Sequence, residues 1–169
     1  CINRVGGGHL EIGGITYQLD QNFLGKHCLH GGAMGSGKRN WTIKDQSESA
    51  VTLSLHMPDG DMGFPGNLSV QVRYWIGENA ALNVEFRATT DQPTICSFAH
   101  HSYFNLDGGD SVLDHLLQVD ADQYLPVDAE LIPTGEILSV EGTMLDFRKP
   151  KSLRRANLDD VMDHNLCLS

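Results

Sequence analysis

"VTLSLHMPDGDMGFPGNLSVQVRYWI", residues Val51 to Ile76, decides the fold. Val51, Leu53, Leu55 and Met57 alternate with Thr52, Ser54 and His56, and Leu68, Val70, Val72, Tyr74 and Ile76 repeat the pattern. A period of two sends alternate side chains to opposite faces, so each run predicts a half-buried strand. Between them, Met57 to Asn67 carries the proline, glycine, aspartate and asparagine of a turn-rich loop. Working outward, Leu82, Val84, Phe86 and Ala88 predict a third strand, and "TTDQPT" and "LDGGDS" predict further turns. Upstream, Gly13-Gly14 divides the two short runs of "HLEIGGITYQL", a hairpin signal. Helical periodicity is confined to "KSLRRA", Lys151 to Ala156, read as one short turn. Many strands, glycine-rich turns and no alternating helices predict an all-β antiparallel sandwich or barrel. With no internal repeat or linker, residues 1–169 are read as one domain or part of one.

Bulk properties exclude several classes. A chain of 169 residues can enclose one core, and 40 % hydrophobic with 20 % charged residues is a folded, soluble profile. Its net charge of −10 repels phosphate backbones, which argues against nucleic acid as a partner. No apolar stretch approaches the roughly 18 residues of a membrane span, so no membrane partner is expected. Cys1, Cys28, Cys96 and Cys167 are widely spaced and form no CxxC, which fits reduced thiols in a cytosolic protein. The basic run "RKPKSLRR", Arg148 to Arg155, is read as a solvated face. The chain opens without methionine and stops at "DHNLCLS" in mid-alternation, so a fragment lacking both end portions is expected.

The eight histidines need explaining. His9, His56 and His115 stand singly and are read as ordinary; the rest fall in "HCLHGG", "AHHSYFNL" and "MDHN". His27 and His30, with Cys28 and either His101 or Asp163, could bind zinc. An i, i+3 pair suits a helix, however, and this one runs into Gly31-Gly32, so no metal is expected. In "DGDMGFPG", Asp59 and Asp61 fit two calcium-loop positions, but Gly63 occupies the third and the distal glutamate is missing. Ser102 lacks a nucleophile-elbow context. Acid–base work suits histidine better, since its unperturbed pKa of about 6.5 lets it exchange a proton at neutral pH. Extrapolated as a strand, "SFAHHSYFN" has Cys96, Phe98, His100, Ser102 and Phe104 on one face. Ile95, Ser97, Ala99, His101, Tyr103 and Asn105 lie on the other. The first set has the bulk of a core; the second leaves room for a ligand beside His101. The alternative for His101 is a core histidine satisfied by a backbone carbonyl.

Taken in order, "INRVGGG", "LHGG", "PDGDMGFPGNL", "HSYFNLDG", "LDHLLQVDADQYLPVDAELIPTGEI", "GTMLDFR" and "DHN" resemble the aldose 1-epimerase (galactose mutarotase) family over nearly the whole chain. The resemblance implies a large antiparallel β-sandwich of the galactose mutarotase type with a sugar cleft. It also implies interconversion of the α and β anomers of an aldose such as galactose or glucose, without cofactor or metal. An acid protonates the ring oxygen, a base takes the proton of the C1 hydroxyl, the ring opens, and it recloses on the other face. Matched motif by motif, His101 is the proton donor, which agrees with the face pattern, and His30 is the second pocket histidine. Asn3 and Arg4 resemble the pair that binds sugar hydroxyls, Asp163 the carboxylate that accepts from one, and Tyr103 a pocket wall. His100 is read as structural.

The family's general base is a glutamate well downstream of "DHN", and this chain ends six residues after Asp163. Glu130, Glu136 and Glu141 belong to another segment, so the 169 residues alone are expected to be inactive or nearly so. A hexose-6-phosphate 1-epimerase and a non-catalytic sugar-binding β-sandwich are the rival readings. The oligomeric state is not legible.

Overall fold

A computed structural model describes residues 3–154 and 162–169 of the chain. Cys1 lies outside the described residues, as do Arg155 and Ala156 of the expected helical turn. The chain divides into two compact units, Cys1–His101 and Ser102–Ser169. Every strand pairing is antiparallel.

In the first unit, β1 (Arg4–Val5) precedes the hairpin of β2 (His9–Ile12) and β3 (Ile15–Gln18), and β4 (Cys28–Leu29) pairs back with β1. The hairpin turn has φ +59° at Gly13 and +79° at Gly14, and two successive left-handed residues favour glycine at both. Leu10 and Leu19 from the hairpin and Cys28 from β4 form a buried cluster packed by Val5, Ile12, Tyr17, Phe64 and Ile95. Burying a side chain such as Leu19 is worth about 1.5–3 kcal/mol. Burial, with the Asp20 carboxylate as a lesser cause, pushes the Cys28 thiol above its ordinary pKa.

The quoted stretch forms the centre of a four-stranded sheet. Its order is β5 (Thr42–Gln46), β6 (Ala50–Met57), β7 (Leu68–Ile76) and β8 (Leu82–Thr90). The register sets Val70 between Leu55 and Ala88, and Val72 between Leu53 and Phe86. Leu68, Val70 and Val72 are buried while Ser69, Gln71 and Arg73 are exposed, as the alternation predicts. Edge strand β5 carries an irregularity between Ile43 and Asp45, a device that blunts pairing with a further strand.

The loop between β6 and β7 closes by turn chemistry. Asp59 Oδ1 accepts from the Gly66 amide at 2.6 Å and from Gln92 Nε2 at 2.7 Å. Asp61 instead pairs with Arg39 at 2.7 Å. Asn67 donates to Asp91 through its backbone and side chain, which holds that carboxyl below its ordinary pKa.

The second unit has short strands. β9 (Leu116–Leu117) pairs with β12 (Lys151–Ser152), and β10 (Ala121–Leu125) lies between β11 (Leu138–Ser139) and β13 (Asn165–Leu168). Lys151 and Ser152 are thus strand, not the start of a helical turn: pairing with Leu117 and Leu116 overrides a weak local helical pattern. Ala121, Val140, Leu145 and Phe147 are its buried apolar residues. Two arginines of the basic run are paired, Arg148 bonding to Asp146 and Asp122, and Arg154 gripping Asp114 through two nitrogens. Among the described residues, no helix is long and apolar enough to cross a membrane.

The Arg148 guanidinium holds the half-buried Asp146 carboxyl at about 2, down from 3.8. Because the folded-state value is depressed, the pairing stabilises above the ordinary carboxylate value and is lost as pH falls through about 2. An NMR titration of the Asp146 carboxyl carbon is expected to show a midpoint clearly below that of exposed carboxylates, and Arg148→Gln to restore the ordinary value.

Candidate active site

The site begins with the β1–β4 ribbon. Arg4 lies opposite Leu29 and Val5 opposite Cys28, so the ladder extended by one step sets Asn3 opposite His30. One pairing thereby brings the adjacent Asn3 and Arg4 toward His30, though neither of the two lines the cleft that His30 faces. Asn3 Oδ1 accepts from the Arg4 amide at 2.7 Å and from Arg4 Nη1 at 3.4 Å. The Arg4 guanidinium lies 4.9 Å from the centre of the Phe23 ring, a cation–π contact that restricts its swing.

At the end of β4 the backbone turns left-handed for three residues, with φ +53° at His30, +80° at Gly31 and +96° at Gly32. Histidine in that region costs roughly 1–2 kcal/mol, so the surroundings must hold it. They do so by hydrogen bonds: the Gly32 amide donates to the Leu29 carbonyl and the Gly35 amide to the Gly32 carbonyl, each at 3.1 Å. The Ala33 amide donates to Asp20 Oδ2 at 2.6 Å, and Arg39 Nε donates to the Met34 carbonyl at 2.6 Å. The Arg39–Asp61 pair ties this turn to the β6–β7 loop.

His101 arrives from the other direction. Residues 93–105 form no strand, contrary to the strand extrapolated from sequence, because the segment joins no ladder and is anchored by its rings. Phe98 stacks on Phe86 of β8 at 5.8 Å, and His100 meets Tyr74 of β7 edge to face at 5.6 Å. His101 points the other way. Its ring meets that of His30 edge to face, with centroids 5.4 Å apart.

Together they line a cleft of about 460 Å³ with Asn22, Ser36, Lys38 and Ala99 on its walls. That volume accommodates a small ligand. The expected division of the two faces holds for His100, Ser97, Ala99 and His101, whereas Phe98, expected on the core face, stacks on Phe86 and also lines the cleft. The division fails elsewhere: Cys96 and Phe104 are exposed rather than packed, and Ile95 packs on the core cluster. Tyr103 and Asp163 belong to the second unit, where both are exposed.

The other candidate ligands of "HCLHGG" do structural work. His27 is buried and its Nδ1 accepts the Gly7 amide at 2.9 Å, while Cys28 is fully buried in the core cluster. Among the described residues, no three histidine, cysteine or acidic side chains are grouped to hold a metal. Sequence reading passed over Asn22, Gly35 and the Arg39–Asp61 pair. Asn22 reaches Leu29 seven positions on and Gly35 packs under His30 five positions back, while Arg39 and Asp61 join two loops; no motif or alternation marks any of them.

The aldose 1-epimerase family model matches residues 1–169. The chain belongs to the aldose 1-epimerase family. It is 41 % identical over 159 residues to the aldose 1-epimerase of Escherichia coli, covering 94 % of this chain and 46 % of that protein. To the galactose mutarotase of Bos taurus it is 42 % identical over 172 residues, covering 98 % of this chain and 49 % of that protein. Among solved structures it matches the GalM/aldose epimerase homologue from C. elegans with a TM-score of 0.92 at 33 % identity. That match covers 99 % of this chain and 53 % of the other. Galactose 1-epimerase from Lactobacillus acidophilus matches with a TM-score of 0.80 at 34 % identity, over 89 % of this chain and 45 % of that one. The all-β, antiparallel fold of this chain is therefore that of the family's solved members. The chain spans about half the length of the curated relatives it matches.

Proposed function

We propose that the protein carrying this chain interconverts the α and β anomers of an aldose, galactose or glucose being the first to test. The observation that carries this is the pair of imidazoles, His30 and His101, facing one cleft beside the Asn3–Arg4 ribbon end. His101 as imidazolium delivers a proton to the ring oxygen as the C1–O5 bond breaks. A base removes the proton of the C1 hydroxyl, leaving the open-chain aldehyde. Rotation about C1–C2 and the reverse steps close the ring on the other face, returning both protons. His30 hydrogen-bonds near the ring oxygen and Asn3 and Arg4 hold hydroxyls, while Asp163 and Tyr103 of the second unit are proposed as sugar-binding only by the motifs they share with the family. Arg4 orients without acting as base, because a guanidinium keeps its proton.

No aspartate or glutamate among the described residues lines the cleft, which supports the reading that the 169 residues carry the acid while the base lies elsewhere in the protein. They are expected to bind sugar and exchange anomers slowly, whereas the full-length protein should accelerate optical-rotation decay of fresh α-galactose or α-glucose. Full activity from the 169 residues would refute the missing base; none from the full-length protein would refute the epimerase. The unpaired thiols of Cys28, Cys96 and Cys167 support a cytoplasmic location.

One observation favours a second reading. Lys38 lines a cleft that carries two imidazoles and no carboxylate, in a chain of net charge −10. That lining would suit an aldose bearing a 6-phosphate. Saturation at lower concentration by the 6-phosphate than by the parent sugar would establish it.

A further inference from the structure

We propose that Asn22 is a positioning residue that sets the His30 imidazole in the cleft, an inference that rests on the epimerase reading for its kinetic consequence. Its carboxamide Oδ1 accepts the Leu29 amide at 2.8 Å, and its Nδ2 donates to the Leu29 carbonyl at 2.9 Å. A single side chain thus offers Leu29 the donor and acceptor that a neighbouring strand would otherwise provide. Strand β4 is only two residues long, and β1 pairs with it on its other edge. Clamped between β1 and a carboxamide, Leu29 becomes a rigid anchor. The next residue is His30, at φ +53°.

A left-handed histidine persists only where its neighbours over-determine it. The hydrogen bonds that do this converge on Leu29: its carbonyl accepts from both Asn22 Nδ2 and the Gly32 amide. Removing the carboxamide strips one partner from each main-chain group of Leu29 and loosens the start of the turn. Asn22 also lines the cleft, but both ends of its carboxamide already engage the main chain, so it acts through His30 rather than on sugar. Only a carboxamide at this reach serves both groups. Aspartate keeps the acceptor, loses the donor, and turns an oxygen toward the Leu29 carbonyl.

The test uses full-length protein with Asn22→Ala and Asn22→Asp, read by mutarotation kinetics and by long-range ¹H–¹⁵N imidazole spectra, His30→Gln assigning the His30 signals. Asn22→Ala is expected to lower kcat by about 10- to 100-fold, the effect of a displaced catalytic group, with a smaller change in KM. The His30 resonances should shift while those of His56 stay in place. Asn22→Asp should likewise shift the His30 resonances and lower kcat, because the donor is lost and an oxygen faces the Leu29 carbonyl. If either folded variant leaves the His30 spectrum and kcat at parent values, the proposal is overturned. A lowered melting temperature with an unmoved His30 signal also overturns it, since Asn22 would then be merely structural. Should Asn22→Ala not fold, the Asn22→Asp spectra decide alone. An inactive parent protein would refute the epimerase reading, while the His30 spectra would still report on the clamp.

Discussion

In the full-length protein His101→Ala is expected to lower the rate of anomer exchange by about 10²–10⁴-fold, the usual contribution of a positioned proton-transfer group, and His100→Ala to leave it near the parent rate. Two adjacent histidines make this an internal control, because the substitutions are chemically identical and differ only in direction. His101 meets His30 across the cleft; His100 rests against Tyr74 on the sheet. Losing the His100 ring removes an edge-to-face contact worth about 0.5–1.5 kcal/mol, so its cost appears as stability. Polarimetry on both variants, with thermal melts to confirm folding, separates the two roles. Equal losses of activity would overturn the assignment of His101 as acid.

Gly35→Ala is expected to damage stability and turnover together. A Cβ at position 35 would run into the carbonyl oxygen of His30, with the carbonyl carbons of His30 and Gly31 at 3.2 and 3.3 Å. All are backbone atoms and none can swing aside. Relief requires the His30–Gly32 turn to shift, and overpacking of this kind costs about 1–3 kcal/mol. The turn carries the His30 imidazole, so kcat should fall with the urea midpoint. Gly37→Ala supplies the stability control, since nothing lies within 4 Å of its Cβ position. A Gly35→Ala protein as stable and active as the parent would mean that the turn is not packed this tightly.

Strand β7 was legible because its burial follows a period of two, whereas β6 is half-buried along nearly its whole length despite its alternating sequence. The Gly13-Gly14 hairpin was legible because its turn demands left-handed residues. The segment around His101 was half legible. Side-chain alternation predicted the opposite directions of His100 and His101, yet no strand forms there, since strand identity depends on a ladder partner. The same dependence made Lys151–Ser152 a strand against its local pattern.

Motifs read from the residues alone determined the family and the antiparallel all-β class, and alternation anticipated that His100 and His101 point in opposite directions, because each follows from residue order along one segment. Tertiary structure alone decided that His30 and His101 meet at 5.4 Å, and that Asn22 and Gly35 hold the turn beneath His30. The meeting of His30 and His101 depends on packing between segments far apart in the chain. The Asn22 and Gly35 contacts are short in sequence but arise only once the turn has folded back on itself, which no motif or alternation encodes.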